Sequence, residues 1–495
     1  MQDKKTIVVA GGGSAGWLAA AAFGKLFSKV FNVCLIESDE IGRIGVGEAT
    51  IPPLRTFHRL LGIDEPDLIK SMQGTFKLGI EFSNWARKGD KYIHSFGITG
   101  KDCWACDFQH FWVGAKKKGI VDDPFGVYSP ELMATQAGKM LAYQEHGLNF
   151  AYHLDAGLYA GYLRKHAVAN GVKRVEGIID HVNIDPSTGY ITSLTMRNGD
   201  EIKGDIFLDC TGFAARLIEG ALNTAYLPYN QYLPCDSAVA VQTEKAGQPR
   251  SHTQAIAHDF GWQWRIPLQH RVGNGLVYCS RYVSDDEALN TLLSNLESKP
   301  ITEPRAFKYK TGRRIKAWNK NCIAIGLAAG FLEPLESTSI HLGMSAVLRL
   351  MKLLPHGDIT QAAIDEYNAQ FCEEMDRIRN FIVLHYYATE RDDSPFWRYC
   401  KSMEIPEALR HRIELFRETG AIPLQEKELF QVDSWTQVMI GQRVIPRTYH
   451  PIVDQMSETE LKRFLQGLKE NVEQKVTRMP LHQEFIDRWC KAPML

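Results

Sequence analysis

The chain has 495 residues, 57 Lys and Arg against 58 Asp and Glu, and a formal net charge of −1. That balance, with no basic domain or stripe, excludes a dedicated nucleic-acid binder, and no apolar run reaches the ~18 residues of a membrane span. With 44% apolar and 23% charged residues and ten scattered cysteines, it reads as a cytoplasmic globular protein of two to three domains, or one large body with a helical extension, with reduced thiols in its core.

Met1 to Lys5 leads straight into a β-branched run, Thr6-Ile7-Val8-Val9-Ala10. Gly11-Gly12-Gly13-Ser14-Ala15-Gly16 follows, and an Ala-rich helix is predicted from Trp17 to about Leu26. A strand, a Gly-rich turn and a helix in this order make a dinucleotide-binding unit: Gly11 for the turn, Gly13 for close approach to a pyrophosphate, Gly16 for helix packing. Val33-Cys34-Leu35-Ile36-Glu37 supplies a second strand, with Glu37 at its end to accept from ribose hydroxyls. The glycine-rich loop Ile41 to Thr50 is either a surface loop or a strap against a planar ring; its Ile and Val residues favour the cofactor contact.

Leu60 to Met72 reads as a helix. Thr75 to Phe82 alternates like a strand with Phe76, Leu78, Ile80 and Phe82 on one face and Lys77, Gly79 and Glu81 on the other, normally solvated, face. Tyr92 to Trp112, dense in aromatics and histidine, is either pocket lining or core between domains. Cys103-Trp104-Ala105-Cys106 lacks the partner pair a zinc site needs, and Lys116-Lys117-Lys118 reads as a solvated turn. Helices over Pro130–His146 and Gly157–Asn170 precede strands near Val175–Ile184 and Tyr190–Met196. Ile206 to Gly212, through Asp209, returns to the nucleotide-binding sheet. Val239 to Tyr282 alternates as antiparallel strands, placing Trp262 and Trp264 on one face.

Cys322 to Gly330 reads as a buried strand running into a Gly/Ala turn and closing that sheet. Phe331 to His341 follows, with Glu333 and Glu336 just ahead of a helix for which Ser337 and Thr338 are the expected N-cap residues. Either this is a capped structural helix with glutamates in water, or a site where helix N–H groups take an anion and a carboxylate takes a cation or a proton. Helical periods then dominate in Thr360–Tyr386, Pro406–Phe416 and Glu458–Val476.

The Gly-rich turn, Glu37 and the strands at Asp209 and Ile323 resemble the two-domain FAD-binding fold of flavin monooxygenases. Gly45-Val46-Gly47-Glu48-Ala49-Thr50-Ile51-Pro52, Phe76-Lys77, Trp262-x-Trp264-x-Ile266-Pro267, Phe331-x-Glu333-Pro334-Leu335-Glu336-Ser337-Thr338 and Arg391 to Trp397 together resemble the flavin-dependent tryptophan halogenase family. The resemblance implies an α/β fold of Rossmann-type βαβ units with a mixed sheet, plus a helical C-terminal lobe. Residues 1–340 would form an FAD-binding body interwoven with an antiparallel-sheet substrate region (roughly 75–115 and 235–320), and 341–495 a helical lobe over the substrate site.

By the same resemblance, FAD contacts Gly11, Gly13, Ser14, Ala15, Gly16, Glu37, Ala49, Gly326 and Leu335. A separate NAD(P)H flavin reductase supplies the reduced cofactor, and chloride or bromide binds at Thr338 and Ser339. Hypohalous acid passes a tunnel lined by Trp262, Trp264, Ile266 and Pro267 to meet Lys77. Glu336 stabilises the cationic arene or takes its proton, Ser337 positions these groups, and His94, Phe96 and Ser337 belong to the substrate pocket. Position 339 is Ser where the best-known tryptophan halogenases have Gly, which leaves halide preference open. Ser434 to Gln442 does not match their grip on the amino-acid backbone, which favours indole or another electron-rich arene over free tryptophan. No metal is expected, and a homodimer is left open. The alternatives are an FAD-dependent aromatic hydroxylase and a catalytically silent flavin-binding protein.

Overall fold

A computed structural model describes residues 4–41, 47–142, 147–355 and 357–493. Gly42 to Val46 of the glycine-rich loop and Tyr143 to His146 lie outside the described residues. The chain divides into two units, one of Met1–Gly74, Leu154–Asn230 and Tyr309–Asp376, the other of Thr75–His153, Gln231–Lys308 and Arg377–Leu495. Residues 341–495, read from the sequence as one lobe, are shared between them, because the helix Ser339–Leu353 and the start of the helix Gln361–Tyr387 belong with the first unit.

The first unit is built on a six-stranded sheet in the order Trp318–Asn319, Cys322–Ala324, Ile206–Asp209, Lys5–Ala10, Phe31–Glu37 and Lys173–Glu176. Its neighbours are parallel except at the Trp318–Asn319 edge, the doubly wound arrangement that βαβ crossovers produce. Ile7, Val8, Val9 and Ala10 are fully buried, as suits a central strand covered on both faces. The helix Ser14–Phe27 is buried without interruption from Trp17 to Phe23. It packs against the helices Ala156–Ala169 and Ser339–Leu353, and the small side chains of Ala19 to Ala22 allow close approach.

The second unit holds a seven-stranded sheet in the order Arg305–Lys308, Ser237–Thr243, Val272–Tyr278, Gly261–Pro267, Thr253–His258, Gly79–Ser83 and Lys91–Ser95. Only Thr253–His258 and Gly79–Ser83 run parallel. Register fixes its two faces. Tyr92, Phe82, Ala255, Trp264 and Gly275 form a row on one face, whereas Glu81, Gln254, Arg265 and Asn274 form a row on the other. Trp85, Tyr386 and Trp397 build an aromatic layer that reaches Trp262, bringing helices from beyond residue 377 onto the tryptophan side.

Several predicted elements are shorter than the periodicity suggested, for local reasons. Of Leu60–Met72 the helix is Glu65–Ser71, started by the Asp64 cap and separated by Gly62 at φ +69° from an earlier helix, Pro53–Leu60. The helix expected to His146 is Pro130–Gln136, followed by Gly138 at φ +63°. Val175–Ile184 is two strands, Lys173–Glu176 and Ile179–Ile184, parted at Gly177. The lysine run expected in a turn instead closes the helix Phe108–Lys117. No described helix is long and apolar enough to cross a membrane.

Candidate active site

In the first unit Gly11, Gly13, Ser14, Ala15, Gly16, Glu37 and Gly326 meet around the start of the helix Ser14–Phe27. Gly11 has φ +111°, and a Cβ there would lie 2.3 Å from the Cys210 carbonyl oxygen; at Gly16 it would lie 1.9 Å from the Gly11 oxygen. Gly13 differs: a Cβ would meet nothing within 4 Å, and no side chain caps the helix it precedes. Open ground before an uncapped helix start is what a pyrophosphate needs, so these residues fit a flavin dinucleotide. Gly326, at φ +67°, comes against Ala15 closely enough that a Cβ would lie 2.8 Å from the alanine Cβ.

Glu37 ends its strand as expected, but it is also anchored. Trp17 Nε1 donates to one carboxylate oxygen at 3.0 Å, and Arg174 Nε and Arg164 Nη1 donate to the other at 2.7 and 3.3 Å. Nothing local in the sequence announces these arginines, which arrive from more than a hundred residues away. Asp209 is structural: its carboxylate accepts from the Thr211, Leu217 and Ile218 amides and the Thr211 hydroxyl. Ala49 lies in the short strand Gly47–Ala49 beside Glu48. Part of Glu48 still reaches solvent, yet burial, with the nearby charge of Asp155, raises its carboxyl to about 7.

The segment after Cys322–Ala324 folds as two 3-10 turns, Gly326–Ala328 and Pro334–Glu336, before the helix Ser339–Leu353. Glu333 and Glu336 are 0% exposed, which removes the reading of glutamates sitting in water. The expected side-chain cap is also absent. Ser337 occupies the left-handed region at φ 59°, ψ 36°, and the Thr338 hydroxyl is buried without a hydrogen-bond partner. A left-handed serine costs on the order of 1 kcal/mol or more; here it reverses the chain between turn and helix. Leu335 is buried. Ser339 and Gly326 line one pocket with Leu342 and Glu374. Glu374 clamps the helix start: burial alone raises its carboxyl, but the hydrogen bond from His341 and the charge of Arg349 hold it at about 2.

In the second unit Lys77 ends the strand Thr75–Lys77, which pairs antiparallel with Ala151–Asp155 through Lys77 and Ala151. The strand expected through Phe82 breaks at Leu78, whose N–H donates to the Ser251 oxygen and whose oxygen accepts from the Phe96 N–H. Lys77 is therefore not on a solvated face. It is 0% exposed, and its Nζ lies 5.0 Å from the centre of the half-buried Phe96 ring.

The lysine-bearing strand is tied down by groups the sequence reading missed. Thr75 Oγ1 donates to the Pro267 oxygen at 2.7 Å, so it accepts from His153 Nδ1 at 2.9 Å, leaving His153 Nε2 to accept from Thr253 Oγ1 at 3.0 Å. Burial, and then the charge of Lys77, hold His153 well below the usual histidine range, in keeping with this neutral tautomer. His482 accepts from the Phe76 N–H at 3.3 Å and donates to the Pro249 oxygen at 2.9 Å, and burial lowers it to about 4. It thereby joins the strand to the helix His482–Trp489. A lone histidine in each apolar stretch was the only signal.

The aromatic stretch left open by the sequence divides. Phe108, Phe111 and Trp112 are core, packed with Tyr128, Leu461 and Leu465. His94 instead faces Phe381 and Phe430 at 5.5 and 6.1 Å, and these two phenyl rings stack at 3.8 Å. The helix Val432–Gly441 completes this region, its Gln437 accepting from the Ser95 N–H at 2.7 Å and its Trp435 meeting Phe381 edge-on. Trp262 and Trp264 are buried 6.1 Å apart, and Ile266 follows on the same face. Gly275 is required under Trp264, because a Cβ there would lie 2.0 Å from the indole. Pro267 supplies the oxygen that anchors Thr75.

Lys77, His94, Phe96, Trp262, Trp264, Ile266 and Pro267 thus all lie in the second unit. The FAD and halide candidates lie in the first with Glu336 and Ser337. Arg391 organises the Arg391–Trp397 segment, bonding Asp259, Asp393 and the Asn84 oxygen and covering the Trp397 ring at 4.7 Å. Among the described residues no three His, Cys, Asp or Glu side chains group as a metal site, and burial, with Asp107 and Asp102 nearby, pushes the Cys106 thiol up to about 11.

A family model for tryptophan halogenase matches residues 6–458. The tryptophan 7-halogenase RebH of Lentzea aerocolonigenes is 33% identical over 438 residues, 84% of this chain and 82% of that protein. A solved flavin-dependent halogenase from Xanthomonas campestris is 50% identical with a TM-score of 0.98, covering 99% of each chain. Another, from Brevundimonas sp. BAL3, is 39% identical with a TM-score of 0.95, covering 99% of this chain and 100% of that one. With the Gly-rich cradle, the paired tryptophans and the buried lysine in place, the chain belongs to the tryptophan halogenase family and is a flavin-dependent halogenase.

Proposed function

We propose that this halogenase uses reduced FAD from a separate NAD(P)H flavin reductase, oxygen, and chloride or bromide to halogenate an electron-rich aromatic such as indole or a tryptophan derivative. The observation that carries the reading is Lys77, fully buried at a strand end and 5.0 Å from the Phe96 ring. Burying an amine costs folding free energy, which suits a group kept for chemistry.

FAD would be held by Gly11, Gly13, Ser14, Ala15, Gly16, Glu37, Ala49, Gly326 and Leu335, and when bound in its reduced form it would supply two of the four electrons that oxygen takes up, the halide giving the other two as it becomes hypohalous acid with formation of water. Thr338 and Ser339 offer helix-start N–H groups to the halide. Trp262, Trp264, Ile266 and Pro267 line the passage for hypohalous acid and keep bulk water out. Lys77 takes up that acid by hydrogen bonding, or by exchanging an N–H for N–X with release of water; either way the halogen is directed and not free. The arene gives its π electrons to the halogen and loses a proton, which Glu336 accepts as a buried carboxylate that also stabilises the cationic ring. Ser337 orients the Glu336 turn, and His94 and Phe96 wall the arene, with the helices after residue 377 covering it. The cytoplasm, where reductase and nicotinamide are available, is the proposed compartment.

The test combines the protein with FAD, a flavin reductase, NADH, oxygen, bromide and indole. Brominated indole is the expected product. A hydroxylated product formed without halide, or no brominated product across a varied arene panel, refutes the reading.

A further inference from the structure

The face of the seven-stranded sheet opposite Trp262 and Trp264 carries polar groups that the halogenation reading does not use. Gln254 Nε2 donates to Glu81 Oε1 at 3.2 Å, which fixes the amide orientation. Its Oε1 therefore turns away from that carboxylate and is buried without a hydrogen-bond partner. Arg265, beside it in register, donates from Nη1 to Glu297 at 2.9 Å and from Nη2 to the Asn295 oxygen, but its buried Nε has no partner. His252 is 8% exposed with neither ring nitrogen hydrogen-bonded, Nε2 standing 3.9 Å from Glu81. Burial holds this imidazole at about 4 despite Glu81, so near neutral pH it presents one N–H donor and one acceptor.

These three side chains, with Lys245, Arg250 and Pro267, line one pocket that opens to solvent. Three of the liners are cations, and Glu297, which pairs with Arg250 at 2.8 Å and with Arg265, does not line it. Buried polar atoms in native proteins are nearly always satisfied. Here the side chains that carry an unpartnered guanidinium N–H, imidazole and amide oxygen line one pocket with two further cations, Lys245 and Arg250.

We propose that this pocket binds a small protonated oxyanion of the hydrogen phosphate class, free or as the monoanion of a phosphate monoester. Arg265 Nε, His252 and Lys245 donate to its oxygens, and its own O–H donates to Gln254 Oε1. A halide has no O–H and leaves the Gln254 oxygen unpaired, so this site discriminates against chloride and is separate from the reaction's halide site.

The test is isothermal titration of the full-length protein with sodium phosphate, with glycerol 1-phosphate and with sodium chloride, all at one ionic strength. One saturable site per chain is expected for a phosphate, with an affinity that does not fall when chloride is raised at constant ionic strength; whichever phosphate binds more tightly identifies the ligand's form. Gln254→Leu is expected to weaken binding about tenfold or more. Because Gln254 is buried, Lys245→Gln at the exposed rim serves as the second variant, with binding weakened several-fold and the melting temperature unchanged. Absence of saturable phosphate binding, displacement of phosphate by chloride at equal strength, or unchanged affinity in Lys245→Gln overturns the proposal.

Discussion

Gly13 and Gly16 lie three residues apart in one turn, and the structure assigns them opposite sensitivities. A methyl at Gly16 would stand 1.9 Å from the Gly11 carbonyl oxygen, well inside contact distance, so strand and helix must separate for Gly16→Ala to fold. Overpacking of this kind costs about 1–3 kcal/mol, occasionally more, in the protein without cofactor. A methyl at Gly13 meets nothing, and the backbone there, φ −75° and ψ −176°, is open to alanine. Gly13→Ala gives up a favourable helix N-cap but restricts the unfolded chain, two effects of about 1 kcal/mol that oppose each other. Its apo stability therefore stays near wild type. With FAD the order inverts. The Gly13 methyl occupies the ground the dinucleotide needs, and a clash of about 1–3 kcal/mol raises the dissociation constant about 10- to 100-fold. The assays are thermal melting of the apo-protein and titration of oxidised FAD by flavin fluorescence. Undiminished FAD affinity in Gly13→Ala would refute the placement of the cofactor cradle, whatever the activity.

Lys77→Met keeps the length and burial of the side chain while removing the amine. It is expected to change stability by less than about 2 kcal/mol and to lower halogenated product about a hundredfold or more, with flavin reoxidation continuing; product formed at the wild-type rate would remove Lys77 from the chemistry. Glu374 contributes to stability through a carboxyl lowered from 4.5 to about 2. A depressed acid stabilises the fold above its unfolded value and loses that contribution as pH falls through the folded one. Roughly 3 kcal/mol is therefore lost between pH 4.5 and 2, and Glu374→Gln should flatten that part of a urea-stability profile. Gly275→Ala drives a methyl into the Trp264 ring. It should cost about 1–3 kcal/mol and raise the amount of hypohalous acid released per arene halogenated, as measured by a soluble trapping reagent.

The nucleotide-binding half was legible because its signals are local. A β-branched strand, a glycine turn and an alanine helix each state their own geometry within a few residues, and the tryptophan pair declares its common face by spacing two. Lys77 was misplaced on a solvated face because alternation assumes an unbroken strand, and the break at Leu78 depends on Ser251 and Phe96, far away in sequence. Thr338 was expected to cap a helix that the turn Pro334–Glu336 and the left-handed Ser337 start without its side chain. The groups that hold the lysine strand in place, Thr75, His153, Thr253 and His482, are joined only by the fold. A sequence carries no period for a hydrogen-bond chain of that kind.

Burial separates the two halves of the aromatic stretch and also weighs on the two charged candidates. Phe108, Phe111 and Trp112 join leucines in a core cluster, where packing alone accounts for them. Lys77 and Glu336 are just as buried, yet an apolar side chain of similar volume at either position would serve stability as well or better. Each rests on backbone that is itself over-determined: the lysine on a strand pinned by a neutral histidine between two threonines, the glutamate on a turn closed by a left-handed serine and followed by a helix clamped through Glu374. Rigid support around a costly charge is the arrangement expected when a group must meet a reactive electrophile or a developing cation in one orientation. That support fits the roles proposed for Lys77 and Glu336, whereas packing accounts for the aromatic residues of the core cluster.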